Sequence, residues 1–310
     1  MQKKSIRVIA AALALSSVIG LGSISASAVN IPTNTVGAMA NSLDVDGRLY
    51  KSLKSIPTKS LSSYYRPEVI VANKKLSVKG VEINGVNYIP FRQAASAISG
   101  SSYSYDSKTK TSTMRAQGLE IVAGAGCYVT YANGRVLFNT TPNVIMSDGR
   151  MYIPASVFAK AVGMTLNVEE GSVRISGSYN PILQGDKFYR SDEVFWLARI
   201  IHAESRGEAL IGQIAVGNVV LNRVKSAYYP NTIYGVIFDR KYGVQFSPIL
   251  DGSIYNTPGY NATLAAKIAL EGYDVSDGAF FFLNTALATS SWIPRNREYA
   301  FTIGNHDFYE

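Results

Sequence analysis

Apolar residues recur at helical spacing around the stretch from Trp196 to Val224. The first apolar face consists of Val194, Leu197, Ala198 and Ile201. Their intervals of three and four residues place them on one side of a helix. We expect Ser191 or Asp192 to cap this helix and Gly207 to end it.

A second helix is predicted from Glu208 to Val224, and it is apolar on nearly every side. A helix with this pattern is a buried one. Three amide side chains interrupt the apolar surface, and buried amides need hydrogen-bond partners. They either orient a substrate or are satisfied within the core: Gln213, Asn218 and Asn222.

The front half shows short alternating patterns typical of strands, with an internal repeat. Tyr88-Ile89-Pro90 is answered 64 residues later by Tyr152-Ile153-Pro154. An Asn-Gly or Asp-Gly turn signal precedes each triplet, and a small amphipathic helix is predicted after each proline. A further helix is expected from Asn261 to Tyr273, before a tail of short strands and loops.

These patterns predict an α+β protein with five successive segments. Residues 1–28 resemble a secretory signal peptide, with Lys3, Lys4 and Arg7 before an apolar run and Ala26-Ser27-Ala28 at its end. Residues 29–66 form a predicted tether, 67–177 a small α+β repeat domain, 178–190 a linker, and 191–310 a mainly helical catalytic domain. No later apolar run is long enough to span a membrane.

Positive charge is concentrated in the front half. Positions 29–185 hold 16 lysines and arginines against 9 aspartates and glutamates, whereas positions 186–310 hold 11 against 13. A basic surface attracts polyanions, and outside a cell the anionic wall polymers are the expected partners. Nucleic acid is not expected, because the basic residues are scattered among Ser and Thr.

The residues suited to metal binding or nucleophilic catalysis are few. Cys127 is the only cysteine, so no intramolecular disulfide can form, and its neighbours resemble a core strand. The two histidines, His202 and His306, lie 104 positions apart, which is not a zinc-binding spacing. We therefore expect no metal and no cofactor.

Glu204 is the candidate for acid-base chemistry. It falls beside the apolar stripe of the first predicted helix, where a carboxyl group is partly desolvated. Desolvation raises a carboxyl pKa toward the range of a general acid at neutral pH. A salt bridge with Arg199 or Arg206 is the simpler interpretation, and the pattern leaves both open.

The repeat unit resembles the copper amine oxidase N-terminal-like, or stalk, domain of wall- and surface-associated proteins. The resemblance covers about residues 67–177 and implies a small binding or spacer module. Copper binding is not implied, because positions 29–201 contain no histidine.

The second half is similar to the SleB/CwlJ-type cell wall hydrolases. The motifs that carry the resemblance follow in the family's order: Ala203-Glu204-Ser205-Arg206-Gly207-Glu208, Gly212 to Val224, Tyr229-Pro230-Asn231-Thr232-Ile233, Gln245-Phe246-Ser247-Pro248, Asn284 with Trp292, and Gly304-Asn305-His306. The resemblance implies a lysozyme-like core and lytic transglycosylase activity on peptidoglycan.

In such enzymes one glutamic acid, here Glu204, protonates the glycosidic oxygen between N-acetylmuramic acid and N-acetylglucosamine. It then assists the muramic C6 hydroxyl in closing on C1, which forms a 1,6-anhydro product. Candidate substrate-binding residues are amides, aromatic rings and a histidine: Gln213, Asn222, Gln245, Phe246, Asn284, Trp292 and His306.

Two other functions remain open. The chain could be a hydrolytic muramidase in which Glu208 or another acid activates water, or a wall-binding protein without activity. We expect a secreted, wall-associated protein, and the sequence leaves spore cortex and vegetative wall as alternative substrates.

Overall fold

The computed structural model describes residues 61–138, 144–241, 243–286, 288 and 291–310. The predicted signal peptide and residues 29–60 of the predicted tether lie outside this part of the chain. Helices and strands both contribute extensively, so the α+β prediction is confirmed. No helix among the described residues is long and apolar enough to cross a membrane.

Short strands and two helices make up the front half. In chain order they are β1 (Glu68–Val71), β2 (Lys74–Lys75), β3 (Val81–Ile83), β4 (Val86–Pro90), α1 (Phe91–Ala97), β5 (Ser102–Asp106), β6 (Thr111–Ala116), β7 (Leu119–Gly124), β8 (Val129–Ala132), β9 (Arg135–Phe138), β10 (Ile145–Ser147), β11 (Arg150–Pro154), α2 (Ala155–Val162), β12 (Thr165–Glu169) and β13 (Ser172–Ser176).

The two copies of the repeat pair directly with each other. β4 and β11 are antiparallel neighbours, and Ile89 lies opposite Ile153 at the centre of their pairing. Each strand ends at its proline, and α1 or α2 begins at the next residue. A proline suits this junction because its fixed φ and missing N–H are tolerated where a helix begins.

Two-residue turns bring β3 to β4 and β10 to β11. Asn84-Gly85 and Asp148-Gly149 have positive φ at both positions, as hairpin turns of this length require. The turn signals read from the sequence are therefore confirmed. β3, β4, β10 and β11 form one sheet, β1, β2, β12 and β13 a second, and β5 to β9 a third.

Helices dominate the second half, with a small sheet near its end. The elements are α3 (Gly185–Phe188), α4 (Ser191–Ser205), α5 (Leu210–Lys225), α6 (Ile233–Ile237), α7 (Pro248–Asp251), a 3₁₀ turn (Ser253–Tyr255), α8 (Tyr260–Leu270), β14 (Phe281–Leu283), α9 (Trp292–Asn296), β15 (Tyr299–Ile303) and β16 (His306–Tyr309).

The helix boundaries differ from the prediction at several ends. Ser191 is the first residue of α4, and Arg190 occupies its N-cap without a side-chain bond, so the predicted cap is wrong. Arg190 instead pairs with Asp192 and Glu193 in the first turn. α5 begins two residues later than predicted, and α8 ends three residues earlier.

The core of the helical half continues into the front half. Tyr131 and Val136, on β8 and β9, belong to the same buried cluster as Ile201, Ile214 and Ile268. The predicted linker is also held in place, because the backbone N–H of Gly185 donates to Asn133 at 2.7 Å. The five-stranded sheet therefore packs against the helices that carry the candidate site.

Candidate active site

Glu204 lies in the last turn of α4, partly buried. Within the described residues its carboxyl group has no hydrogen bond and no salt bridge. Burial raises its pKa to about 7, the negative charge of Asp251 adds to the rise, and the positive charge of Arg223 opposes it. A carboxyl group with this pKa is protonated often enough near neutral pH to act as an acid.

The salt-bridge interpretation of Glu204 is wrong. Arg199 uses its Nη1 to bind backbone carbonyl oxygens of the segment after α7, including that of Asn256 at 2.7 Å. Arg206 is exposed and forms no salt bridge with Glu204 in the described structure. The carboxyl group is therefore left available.

Arg223, near the end of α5, is a charged neighbour that the sequence reading did not single out. Its side chain is buried, and its Nε donates to the carbonyl oxygen of Phe280 at 2.8 Å. Three aromatic rings surround the guanidinium, with centroids 5.2 to 5.3 Å from Cζ: Tyr229, Phe246 and Phe281. An arginine in a helix apolar on nearly every side was the signal that could have identified it.

The carboxylate of Glu208 accepts hydrogen bonds from Asn305, near the C-terminus. Its carboxylate accepts the backbone N–H of Asn305 at 3.1 Å and the Asn305 side-chain amide at 2.9 Å. Gly304 adopts a positive φ and passes so close to this carboxylate that a Cβ there would clash with it. The side chain of Glu208 therefore fastens the turn between β15 and β16 to the start of the second helical segment.

His306 belongs to the same contact. It is buried, its Nδ1 lies 3.8 Å from a carboxylate oxygen of Glu208, and its ring meets that of Phe282 edge to face. Burial lowers its pKa, although Glu208 and Asp307 oppose this effect. A role in fixing the tail is consistent with this position, and substrate binding by His306 stays a prediction.

The predicted amides of α5 are buried and have protein partners. Gln213 donates to the carbonyl oxygen of Glu208 at 2.8 Å. Asn222 donates to Ser276 Oγ at 2.9 Å and to the carbonyl oxygen of Ala279 at 3.0 Å. Their contribution to substrate binding also stays a prediction.

Four other predicted residues lie on the segments after α6. Phe246 is buried against Arg223. Gln245 and Asn284 are half-buried and bond within their own loops. Trp292 is 52% exposed, with the guanidinium of Arg297 5.4 Å from its ring centroid. Trp292 is the most exposed of the four, and substrate binding by Gln245, Phe246, Asn284 and Trp292 stays a prediction.

The structure offers little to a metal ion or to thiol chemistry. In the described parts of the chain, no three His, Cys, Asp or Glu side chains cluster in a way that could hold a metal. Cys127 is buried, and burial raises its pKa to about 11. A thiol with this pKa is a poor nucleophile at neutral pH.

Comparisons with known proteins assign both halves of the chain. Residues 207–309 match the family model described as Cell Wall Hydrolase, and residues 70–176 match the Copper amine oxidase N-terminal domain. The chain carries a cell wall hydrolase domain. Both resemblances read from the sequence are thereby confirmed. The span of the hydrolase match begins three residues after Glu204.

Similar curated proteins are spore cortex-lytic enzymes. That of Bacillus cereus is 41% identical over 120 residues, which cover 39% of this chain and 45% of that protein. That of Bacillus subtilis is 37% identical over 122 residues, covering 39% of each. The chain thus spans less than half the length of these relatives.

A solved structure also matches the hydrolase part. The catalytic domain of the germination-specific lytic transglycosylase SleB from Bacillus anthracis is 39% identical, and the match covers 42% of this chain and 100% of that one, with a TM-score of 0.37.

Proposed function

We propose that this chain is a secreted peptidoglycan-cleaving enzyme that acts on the β-1,4 bond between N-acetylmuramic acid and N-acetylglucosamine. The cell wall hydrolase domain and the similarity to spore cortex-lytic enzymes support the substrate class. The observation that carries the chemistry is the isolated Glu204 carboxyl group, with its pKa raised to about 7.

Glu204 acts as the general acid and then as the base. Its proton passes to the glycosidic oxygen as the bond to C1 of the muramic residue breaks, which leaves Glu204 ionised. The C6 hydroxyl of the same residue then bonds to C1 and returns its proton to Glu204. The product is a 1,6-anhydro ring, and the nucleophile comes from the substrate.

A single acid fits the surroundings better than the usual two-carboxylate scheme. Glu208 is occupied by Asn305, and its side chain is 9% exposed. Asp251 is exposed and accepts the backbone N–H of Ser253 at 2.8 Å, and hydrogen bonds from Ser253 lower its pKa. The negative charge of Asp251 raises the pKa of Glu204, and we assign Asp251 no proton-transfer step of its own.

The repeat domain at residues 67–177, here called the front module, holds the enzyme near the wall. Positions 29–185, which include this module, hold 16 lysines and arginines against 9 acidic residues, and this basic excess would attract anionic wall polymers. Gln245 and Asn284 are half-buried and Trp292 is exposed, and we propose that these three side chains contact the glycan strand. We propose wall association after secretion, with spore cortex as the first substrate to test.

The test is mass spectrometry of the muropeptides released from purified cortex and vegetative wall by the mature protein and by Glu204→Gln. A general acid typically contributes 10²- to 10⁴-fold to rate, and we expect Glu204→Gln to lose about that factor. The wild-type products should be anhydro forms, lighter by one water than hydrolysed ones.

Glu208→Gln is the matched control. It should retain the anhydro products, although weaker attachment of the tail could lower the yield. Reducing-end products lost in Glu208→Gln would show a hydrolytic muramidase. No release from either wall preparation by the folded protein would leave a wall-binding protein without activity.

A further inference from the structure

Arg223 is a buried cation without a salt bridge among the described residues. Its side chain is 4% exposed, and one of its terminal nitrogens, Nη1, is buried without a hydrogen-bond partner. Burying an arginine in this way costs several kcal/mol. Its charge nevertheless acts on Glu204, and the two proton transfers proposed for Glu204 give Arg223 no role.

The guanidinium is held in one position. The Nε bond to the carbonyl oxygen of Phe280 fixes one edge, and the rings of Tyr229, Phe246 and Phe281 enclose it. Aromatic faces attract a cation, so these contacts and the hydrogen bond favour one position of the guanidinium. The charge is therefore in place before any substrate arrives.

Among the described residues, three ionisable groups act on this cation through their charge. They are Tyr229, Asp239 and Glu204. Glu204 in turn faces two charged groups, Asp251 and Arg223. Asp251 opposes its ionisation, so Arg223 is the positive charge that favours it.

We propose that Arg223 is a positioning residue that stabilises Glu204 as the anion between its two proton transfers. This inference rests on the proposed function. When Glu204 gives its proton to the glycosidic oxygen, a negative charge develops in a partly desolvated place next to Asp251. A fixed cation stabilises that charge without reorganisation. The C6 hydroxyl proton then neutralises Glu204 again.

Other arginines of the domain do not fit this role. Arg199 is bound to backbone oxygens of residues 254–256. Arg206 is exposed, and its charge acts on His202 and Asp251. Arg199→Met is consequently a control that removes a positive charge from α4 itself.

The first measurement is an NMR titration of the Glu204 carboxyl carbon in the full mature protein, assigned by Glu204→Gln. We expect the midpoint to rise by about one pH unit in Arg223→Met, because an opposite charge has been removed. Arg223→Lys should keep most of the wild-type value, and Arg199→Met all of it. An unchanged midpoint in folded Arg223→Met would overturn the inference.

A second measurement needs no substitution at Arg223. In the wild-type protein the chemical shifts of the Arg223 guanidinium nitrogens should change with pH at the midpoint of Glu204. In Glu204→Gln these shifts should not change over the same pH range. Resonances that are flat in the wild-type protein would also overturn the inference, even if Arg223→Met failed to fold.

Muropeptide release as a function of pH separates this inference from the proposed function. Activity should fall as pH rises through the Glu204 pKa, and this limb should move upward in Arg223→Met together with the NMR midpoint. If the midpoint moves and the limb does not, the charge coupling stands and Glu204 is not the acid.

Discussion

Glu204 and Glu271 are two glutamates of the same helical half in opposite electrostatic surroundings. Glu204, near the end of α4, has no hydrogen-bond partner among the described residues, and its pKa is raised to about 7. Glu271, just after α8, has a side chain only 3% exposed and accepts hydrogen bonds from Arg135, Lys160 and Tyr189. Burial would raise its pKa, but the bonds from Arg135 and Lys160 lower it.

The difference shows that burial alone does not decide the charge of a carboxyl group. Hydrogen-bond donors that reach the buried carboxylate oxygens lower the pKa and keep the group ionised. At Glu271 both positively charged donors, Arg135 and Lys160, come from the front module. At Glu204 no salt bridge forms among the described residues, and the cation whose charge acts on it, Arg223, lies among aromatic rings. One glutamate is therefore fixed in the ionised form, and the other can exchange a proton.

Removal of the charge at Glu271 has the largest expected effect on stability. Glu271→Gln leaves Arg135 buried without its bidentate partner, and breaking a buried pair in this way costs about 3 to 5 kcal/mol of unfolding free energy. Urea denaturation at neutral pH measures it. Lys160→Met is the matched control, because Lys160 is half-exposed and its loss should cost less than about 1 kcal/mol. Equal losses in the two variants would contradict this account.

Glu204→Gln should increase the free energy of unfolding, whereas Glu271→Gln decreases it. The folded-state pKa of Glu204, about 7, lies above the ordinary value of 4.5. Folding stability is therefore fullest below about pH 4.5 and falls as the pH rises toward 7. The variant should be more stable than the wild type by about 1 to 3 kcal/mol at pH 8 and nearly equal to it at pH 4. Denaturation at both pH values tests whether the stability difference between variant and wild type grows with pH. A difference that is the same at pH 4 and pH 8 would contradict this prediction.

Asp251→Asn should have the smallest effect, on the pH dependence of activity. The Asp251 charge raises the Glu204 pKa, so its removal should move the basic limb of muropeptide release to lower pH by about half a unit. Asp277→Asn is a suitable control because asparagine tolerates the positive φ at that exposed position. A limb that moves upward would show that Asp251 acts in another way.

Local signals made much of the fold predictable. Asn84-Gly85 specifies its own hairpin, and the proline of each Tyr-Ile-Pro triplet ends a strand and precedes a helix within a few residues. The desolvated position of Glu204 followed from helical periodicity alone. These features depend on neighbours that are close in the sequence.

The rest depends on contacts between distant residues. Glu271 receives its partners from 82 to 136 positions away, and no local pattern marks it as an ion-pair acceptor. The occupation of Glu208 by Asn305 is a contact across 97 positions. The predicted cap of α4 was wrong for a local reason. Ser191 is of a residue type that favours the N-cap, but it lies inside the helix rather than before it.

The pairing of the two repeat copies governs how the front module can be assembled. β4 finds its partner in β11, and β1 pairs in parallel with β13, more than 100 positions later. Such distant pairings must overcome loop-closure entropy before they add stability, so we expect these sheets to fold slowly and only as a whole segment. A nascent chain therefore cannot complete these sheets until residue 176 is free to join them.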